Sequence, residues 1–243
     1  MRFYVACLGL VASLPQLSSA HGFVTGVTVN GKWTAGSDPV WYYYAEDSKP
    51  QTAGWDSLNQ DTGFIEPANF GTSDIACHKS AKVGKKFVDI KAGDKITFYW
   101  NSWADSHKGP IMNYIAPFKS TAGDLRWSKI SQGSIVSGNT WVTDTMMANN
   151  FTSSTTLPKN LKAGDYVIRH EIIALHGAGS DNGAQAYPQC LNLRVSGSGK
   201  VAPTSGVAGT SLYKRTDPGI MFNIYASATS YPYPGPQLWT AAN

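Results

Sequence analysis

His21 follows a segment with the features of a secretory signal peptide, residues 1–20. Arg2 provides positive charge, an apolar run follows it, and Ser18 and Ala20 are small residues at the positions expected before a cleavage site. Cleavage there makes His21 the first residue of the mature chain. Its α-amine, with an ordinary pKa of about 7.7–8.0, and its ring Nδ1 can then chelate one metal ion. We therefore predict removal of residues 1–20 and a metal ligand at His21.

A second imidazole is available at His107, in the stretch WADSHKGPIMNYIAP. It follows a predicted strand and precedes Gly109 and Pro110, so a turn presents its side chain. Such a histidine is also compatible with an ordinary surface loop. Together, His107 and the two nitrogens of His21 form a set of three neutral nitrogens, which copper binds more tightly than other divalent first-row metals do. The pattern indicates a site for one copper ion per chain.

The remaining histidines do not form a zinc-protease motif. His170 and His176 lie in HEIIALH, six residues apart, whereas that motif requires histidines at i and i+4 on one helix face. On a strand, an even spacing places both rings on the same face. The sequence therefore disfavours a zinc protease. It predicts His170 as a packed residue within an alternating segment and His78, beside Cys77, as a loop residue.

Strand signals dominate the elements that must position these side chains. The segments rich in β-branched and aromatic residues are FVTGVTVNG, FVDIKAGDKITFYWNSW, GDYVIRHEIIALHG and QCLNLRVSGSG. Between them lie long stretches rich in Gly, Ser and Pro, residues 31–76 and 197–238, which a compact domain seldom carries without a use. We predict an all-β fold, an immunoglobulin-like antiparallel β-sandwich with long decorated loops, formed by residues 21–243 as a single domain.

Composition and charge limit the possible partners. Hydrophobic residues make up 42% of the chain, enough for a sizeable core. The formal net charge of +4 falls by one to +3 when Arg2 is removed, and no block of Lys or Arg stands out. This argues against a nucleic-acid or membrane partner. The apolar run before His21 is too short to span a bilayer, and no later stretch approaches the roughly 20 apolar residues required. We predict a soluble, secreted, extracellular protein.

Two cysteines remain after Cys7 is removed with the predicted signal peptide, and these are Cys77 and Cys190. In an oxidising compartment they most simply form a disulfide. The bridge would close a loop of over a hundred residues, which the chain-entropy model values at about 4–5 kcal/mol. Asn150 begins an Asn-Phe-Thr triplet, an acceptor pattern for N-glycosylation that fits a surface loop of a secreted protein.

Ordered motifs along the whole mature length resemble one known family. They are HGFV at the predicted N-terminus, DIACH around Cys77, W-x-DSH-x-GP around His107, RHEIIALH, GAQ-x-YPQC-x-NL-x-V, TDPGI-x-x-NIY and SY-x-x-PGP. In this combination the chain resembles the fungal lytic polysaccharide monooxygenases of auxiliary activity family 9. The resemblance implies a copper-dependent oxidoreductase, and Cys77 and Cys190 match the family's disulfide.

The resemblance also implies roles for individual positions. His21 matches the N-terminal ligand, bound through its amine and Nδ1, and His107 matches the second ligand, bound through Nε2. Tyr187 matches the tyrosine on the weak axial direction of the metal. His176 and Gln185 match outer-sphere catalytic groups that hydrogen-bond to the oxygen species. The even spacing of Gln185 and Tyr187 places both on one face of a strand. From residue types alone, these two would be interpreted as a satisfied pair in the core.

The implied reaction is oxidative cleavage of β-1,4-glucan chains such as cellulose by hydroxylation at C1 and/or C4. An external donor such as ascorbate, phenols or a secreted dehydrogenase supplies electrons, and O₂ or H₂O₂ is the oxidant. A crystalline substrate requires a flat face with exposed rings. Tyr231 matches the family's stacking ring on the C-terminal loop. Tyr42 or Tyr44 lies in the loop that carries a second ring, although that loop is equally compatible with core packing. The resemblance leads us to expect a monomer.

Lys108 departs from the family pattern, because many relatives have a second histidine directly after the ligand. A cation near the mouth of the site could alter substrate preference or the potential of the metal. The sequence does not decide between these effects.

Two other classes of protein remain as alternatives. A glycoside hydrolase needs two carboxylates placed across a scissile bond, and no motif marks any of the 16 acidic residues for that role. A non-catalytic copper- or cellulose-binding surface protein would share the metal site without turnover. Dependence of product release on a reductant distinguishes the three classes.

Overall fold

Alternation of apolar and polar residues sets one buried face on most strands. The segment Lys95–Trp100 shows this pattern, since every second residue is buried. The segment Gly164–Ala174 differs, because it is buried continuously from its third residue onwards. A strand buried on both faces must lie between two layers of other side chains.

The computed structural model describes residues 21–243, so the predicted signal peptide and Cys7 lie outside the described residues. The described strands are β1 (Val24–Val29), β2 (Lys32–Ala35), β3 (Val88–Lys91), β4 (Lys95–Trp100), β5 (Ile111–Pro117), β6 (Arg126–Gly133), β7 (Ile135–Ser137), β8 (Thr140–Trp141), β9 (Thr152–Thr156), β10 (Gly164–Ala174), β11 (Gln185–Ser196) and β12 (Val207–Ala208). The α-helices are α1 (Asp74–Cys77) and α2 (Val142–Ala148). Short 3₁₀ turns cover Pro39–Tyr43, Pro67–Asn69, Ala122–Asp124 and Gly209–Ser211.

Two sheets form the sandwich. One has four strands in the order β2-β1-β4-β9, and the other has six in the order β12-β6-β5-β10-β11-β3. Strands β7 and β8 form a separate short hairpin. The predicted all-β sandwich is confirmed, with one difference. Strand β3 pairs with β11 in parallel, because the long connection between β2 and β3 brings the chain back to the far edge of the larger sheet.

The long loops cover the outer face of the six-stranded sheet. A first core lies between the sheets and includes Val27, Phe98 and Ile168. A second core lies on the other side of β10, where loop residues such as Phe70 and Ile220 pack against the sheet. The predicted irregular stretches are therefore a structural layer, and they account for the continuous burial of β10.

The predicted disulfide is confirmed. Cys77, the last residue of α1, is bonded to Cys190 in β11. The bridge joins positions 113 residues apart and ties the loop layer to the sheet beneath it.

His170 is a core residue, as predicted. Its ring stacks on Phe98 with the centroids 4.1 Å apart. The Nε1–H of Trp100 donates to His170 Nε2 at 3.0 Å, and His170 Nδ1 donates to the side-chain oxygen of Asn113 at 2.8 Å. Both ring nitrogens are thus satisfied in the neutral form, and a second ring proton would face the indole N–H of Trp100.

Acidification should destabilise the fold through His170. Burial lowers its pKa to about 3 from an ordinary value of 6.5. Between these limits the unfolded chain binds a proton that the folded chain excludes, so the contribution of neutral His170 is present above pH 6.5 and lost as the pH falls towards 3. We expect this residue to cost the metal-free protein about 1–3 kcal/mol of unfolding free energy between about pH 7 and pH 4.5, measured by guanidinium titration.

The control is His170→Gln, whose side chain does not titrate in this range. It should be less stable than the parent at neutral pH because the stacked ring is lost, yet its stability should fall less on acidification. Equal losses in both proteins would show that His170 is not responsible.

Candidate metal centre

The segment that begins with His21 is held against the loop that follows β4. The Ser102 hydroxyl donates to the His21 carbonyl at 2.8 Å, and the Phe23 N–H donates to the Asn101 side-chain oxygen at 2.8 Å. A Cβ at Gly22 would lie 2.1 Å from the Ser102 carbonyl oxygen, so only glycine permits this approach. The result is a defined position for the His21 ring.

His107 lies on the same loop, between β4 and β5. The Trp103 indole donates to the His107 carbonyl at 2.9 Å, and the His107 N–H donates to the Ala104 carbonyl at 2.9 Å. Two residues further, a Cβ at Gly109 would lie 1.9 Å from the Ile173 carbonyl oxygen in β10. Glycine there lets the loop pass close to the sheet and places the His107 ring beside the end of β10.

The structure brings the five predicted metal and outer-sphere residues into one cluster. The ring centroids of His21 and His107 are 5.3 Å apart, and those of His107 and His176 are 3.9 Å apart. The Tyr187 ring is 5.7 Å from the ring of His21. The Tyr187 hydroxyl donates to the Gln185 side-chain oxygen at 2.7 Å. The segment before β1, the loop between β4 and β5, the loop after β10 and strand β11 contribute to this cluster.

One buried atom of the cluster fits a role in metal binding. His107 Nε2 is buried and has no hydrogen-bond partner within the described part of the chain. The other ring nitrogen, Nδ1, is 3.0 Å from the Ser106 hydroxyl. Buried polar atoms in proteins are rarely left unpaired, and each exception calls for an explanation. A metal ion bound at Nε2 would satisfy this atom.

The charge state of the histidines suits metal binding. Burial, together with the nearby His176 and His21, lowers the pKa of His107 to about 4. Burial also lowers the pKa of His21, against an opposing effect of Asp61. It lowers the pKa of His176 too, again with a contribution from His21. All three rings are therefore neutral near pH 7, which is the form that binds a metal.

The side chains alone do not make a complete site. Residues 21–243 contain no group of three or more His, Cys, Asp or Glu side chains arranged to hold a metal ion. The cluster offers the imidazoles of His21 and His107, so any third strong donor has to come from the backbone.

Tyr187 is fully buried in this cluster, packed at 4.9 Å from Trp103. Burial raises the pKa of its hydroxyl well above the ordinary value, and the negative charge of Asp61 raises it further. The hydroxyl therefore keeps its proton near neutral pH and donates it in the hydrogen bond to Gln185.

His78 supports the cluster without belonging to it. Its Nε2 donates to the Gly63 carbonyl at 3.1 Å, and its Nδ1 accepts from the Lys79 N–H at 2.9 Å. With both nitrogens engaged, His78 has no lone pair for a metal. The turn it holds forms one wall of a cleft of about 490 Å³ that His21 also lines, together with Asp61, Phe64, Glu66, Asn69 and Lys79.

The prediction that Tyr231 is a surface ring is wrong. Its side chain is only 6% exposed, and its hydroxyl donates to the Gly219 carbonyl at 2.5 Å. Trp141 and Phe222 pack edge-on against its ring, with centroids 5.6 and 5.1 Å away. The proline-rich loop folds inwards, because Trp141 and Phe222 offer this ring more burial than the surface does.

The exposed ring of this segment is Tyr225, which is 75% exposed. It follows Phe222, whose N–H donates to the Ala178 carbonyl at 2.9 Å in the loop after His176. This contact brings the segment carrying Tyr225 to the loop that carries His176. Sequence analysis missed Tyr225, although its polar and small neighbours in NIYASATS indicate an exposed turn.

Tyr42 and Tyr44, predicted to carry a second surface ring, differ in exposure. Tyr42 is half-buried, the Lys82 ammonium lies 3.8 Å from its ring centroid, and its hydroxyl donates to the Ser80 carbonyl. Of the two predicted rings, Tyr42 is thus the more covered, and its role in stacking remains a prediction. Tyr44 is 49% exposed and Tyr43, which was not predicted, is 72% exposed.

Known proteins are similar to this chain in sequence and in fold. The model of Auxiliary Activity family 9 (formerly GH61) matches residues 21–233. The AA9 family lytic polysaccharide monooxygenase F of Emericella nidulans is 48% identical, over 96% of this chain and 96% of its own length. The AA9 family lytic polysaccharide monooxygenase F of Malbranchea cinnamomea is 42% identical over 99% of each chain.

Two solved structures are similar over most of their lengths. The extended catalytic domain of H. jecorina LPMO9A matches with a TM-score of 0.86 and 42% identity, over 92% of each chain. Cel61B from Hypocrea jecorina, described as a glycoside hydrolase family 61 member, matches with a TM-score of 0.85 and 39% identity, over 90% of this chain and 100% of that chain. This chain therefore belongs to Auxiliary Activity family 9, the lytic polysaccharide monooxygenases, which are copper-dependent oxidoreductases.

Proposed function

We propose that residues 21–243 form one secreted, monomeric catalytic domain that holds a single copper ion and cleaves β-1,4-glucan chains by oxidation. The observation that carries this proposal is the buried, unpaired Nε2 of His107 beside the ring of His21. Neutral imidazoles are favoured ligands of copper, and both rings are neutral near pH 7.

The third strong donor is the α-amine of His21. It becomes available only when residues 1–20 are removed, which explains why a histidine stands directly after a signal-peptide cleavage pattern. His21 then supplies its amine and Nδ1, and His107 supplies Nε2. Tyr187, whose ring is 5.7 Å from that of His21, is the candidate for a further, weak contact with the copper ion.

Copper held by these residues would supply the redox chemistry for hydroxylation of the substrate, either with O₂ and two electrons from an external donor or with H₂O₂. The protein groups hold and place protons around it. Tyr187 keeps its hydroxyl proton and points it at Gln185, which fixes the orientation of the Gln185 amide. His176 Nδ1 is buried and has no hydrogen-bond partner among residues 21–243, so it is available to accept or donate a proton in the site.

The substrate we propose is cellulose or a related β-glucan, oxidised at C1 and/or C4. The exposed rings of Tyr225, Tyr43 and Tyr44 offer faces on which sugar C–H groups can pack. Ascorbate, phenols or a secreted dehydrogenase would serve as the electron donor. A surface site suits an insoluble polymer, because such a polymer cannot enter a closed pocket.

Tyr225→Ala should weaken binding to cellulose while leaving copper binding unchanged. The ring is 75% exposed, so its removal leaves no cavity in the core. Loss of one stacking ring is worth about 1–1.5 kcal/mol, or roughly a five- to tenfold higher Kd. Pull-down isotherms on cellulose test this. Met221→Ala is the matched control on the same loop, and an equal effect there would contradict a specific role of the ring.

Secretion is consistent with the described residues. No helix within residues 21–243 is long and apolar enough to cross a membrane. Asn150 is exposed in the turn between α2 and β9, where a glycan would not disturb either core. We therefore propose cleavage before His21 and N-glycosylation at Asn150.

The test is release of oxidised oligosaccharides from cellulose, detected by mass spectrometry, by copper-loaded protein with and without ascorbate. We expect products only with copper and ascorbate together, and none after treatment with EDTA. Products that persist without reductant and in EDTA would indicate a hydrolase. Tight copper binding without products would indicate a non-catalytic copper-binding protein.

A further inference from the structure

Lys108, directly after the second proposed ligand, does not lie free at the mouth of the site. Its ammonium donates to both carboxylate oxygens of Asp144, at 2.9 Å each. Asp144 is in the first turn of α2, where its side chain also accepts from the Trp141 N–H at 2.7 Å. Two hydrogen bonds from one ammonium hold the Lys108 side chain against α2.

A second bond joins the same two segments. The Gly109 N–H donates to the hydroxyl of Thr143 at 3.2 Å, and Thr143 is fully buried beside Asp144. On the opposite side, the Leu175 N–H donates to the Lys108 carbonyl at 2.8 Å. The three residues His107 to Gly109, called here the ligand segment, therefore lie between the first turn of α2 and the end of β10.

These contacts determine where the His107 ring lies. His107 stacks on His176, which directly follows Leu175, with the centroids 3.9 Å apart. Its carbonyl is held by Trp103 on the other side. If the bonds to Thr143 and Asp144 were lost, the ligand segment would keep its attachment to β10 but could rotate about it. Such a rotation would move His107 Nε2 relative to the ring of His21.

We propose that the first turn of α2, through Lys108–Asp144 and Gly109–Thr143, is the positioning element that sets His107 for the metal. Lys108 and Thr143 touch neither metal nor substrate, and they act through the ligand segment. The proposal rests on the proposed function, because it concerns the same copper ligand. It also assigns a role to the lysine that departs from the family pattern.

The test measures Cu(II) binding by the mature protein, with its N-terminus at His21. Lys108→Met removes the ion pair and leaves the contact of Asp144 with Trp141. Thr143→Val removes the acceptor for Gly109 with little change of volume. Groups that orient a ligand typically contribute 10- to 100-fold to metal affinity, so each variant should raise the Kd for Cu(II) by about tenfold or more and alter the Cu(II) EPR spectrum.

Conservative variants and a distant pair provide the controls. Lys108→Arg retains a two-point contact with Asp144, and Thr143→Ser retains the hydroxyl. Both variants should therefore have the Cu(II) affinity and the EPR spectrum of the parent protein. Asp165→Asn breaks the exposed ion pair with Arg194, whose atoms are 3.0 Å apart, and should change neither. Melting of the metal-free protein, followed by circular dichroism, reports any loss of stability separately.

The proposal would be overturned if Lys108→Met and Thr143→Val lost thermal stability but kept the Cu(II) affinity and EPR spectrum of the parent. It would also be overturned if the conservative variants bound Cu(II) as weakly as these two. If Lys108→Met does not fold, the Thr143 pair of variants still decides. Failure of the parent protein itself to bind Cu(II) through its histidines would overturn the proposed function as well, and the parent measurement separates that outcome from the others.

Discussion

A single alanine added before His21 should abolish the oxidative activity while leaving the fold intact. The extra residue converts the α-amine into an amide nitrogen, which cannot coordinate copper without losing a proton it holds tightly. Loss of a direct ligand should exceed the 10- to 100-fold cost typical of its supporting groups. We therefore expect a Kd for Cu(II) at least about 100-fold higher, and no detectable oxidised products from cellulose.

The fold should not respond, because the contacts that anchor this segment remain available. Ser102 still reaches the His21 carbonyl, and Asn101 still reaches the Phe23 N–H. The metal-free extended protein should melt at the temperature of the parent. An alanine added after Asn243 is the matched control and should have no effect on copper binding. Full activity of the protein extended before His21 would refute the three-nitrogen site.

Glu171→Ala in β10 should produce a large loss of stability. Glu171 and Arg169 are both fully buried and form an ion pair in the second core. Arg169 Nη1 donates to Glu171 at 2.7 Å, and Tyr213 donates to the same carboxylate. Removal of the carboxylate leaves a buried guanidinium without its counter-charge, which typically costs about 3–5 kcal/mol. Guanidinium-induced unfolding at neutral pH measures this loss.

Apolar replacement of both partners should not restore stability. Arg169 also donates to the Ala76 carbonyl at 2.9 Å and to the Ile75 carbonyl at 2.8 Å, so these buried acceptors in α1 would lose their donors. The exposed pair Arg194–Asp165 is the control. Asp165→Ala should cost no more than about 1 kcal/mol, because solvent screens exposed pairs. Similar costs for the two substitutions would show that burial is not the determining factor.

The sequence by itself determined the features that depend on local pattern. Alternating β-branched and aromatic residues identified the main strands, since period two fits a half-buried sheet. The count of cysteines led to the bond between Cys77 and Cys190, which the structure contains. Ordered motifs led to the family, to which the chain belongs. The ligand roles of His21 and His107 remain proposals, and the structure brings their rings together as these roles require.

Only the tertiary structure decided which aromatic rings face solvent. The sequence places small residues beside both Tyr231 and Tyr225, yet the first is buried against Trp141 and Phe222 and the second is exposed. Exposure depends on whether distant apolar residues offer a ring more burial than the surface does, and local sequence does not contain that information. The partner of Lys108 is another such case, because Asp144 lies 36 residues away. The parallel pairing of β3 with β11 also depends on where a long loop returns to the sheet.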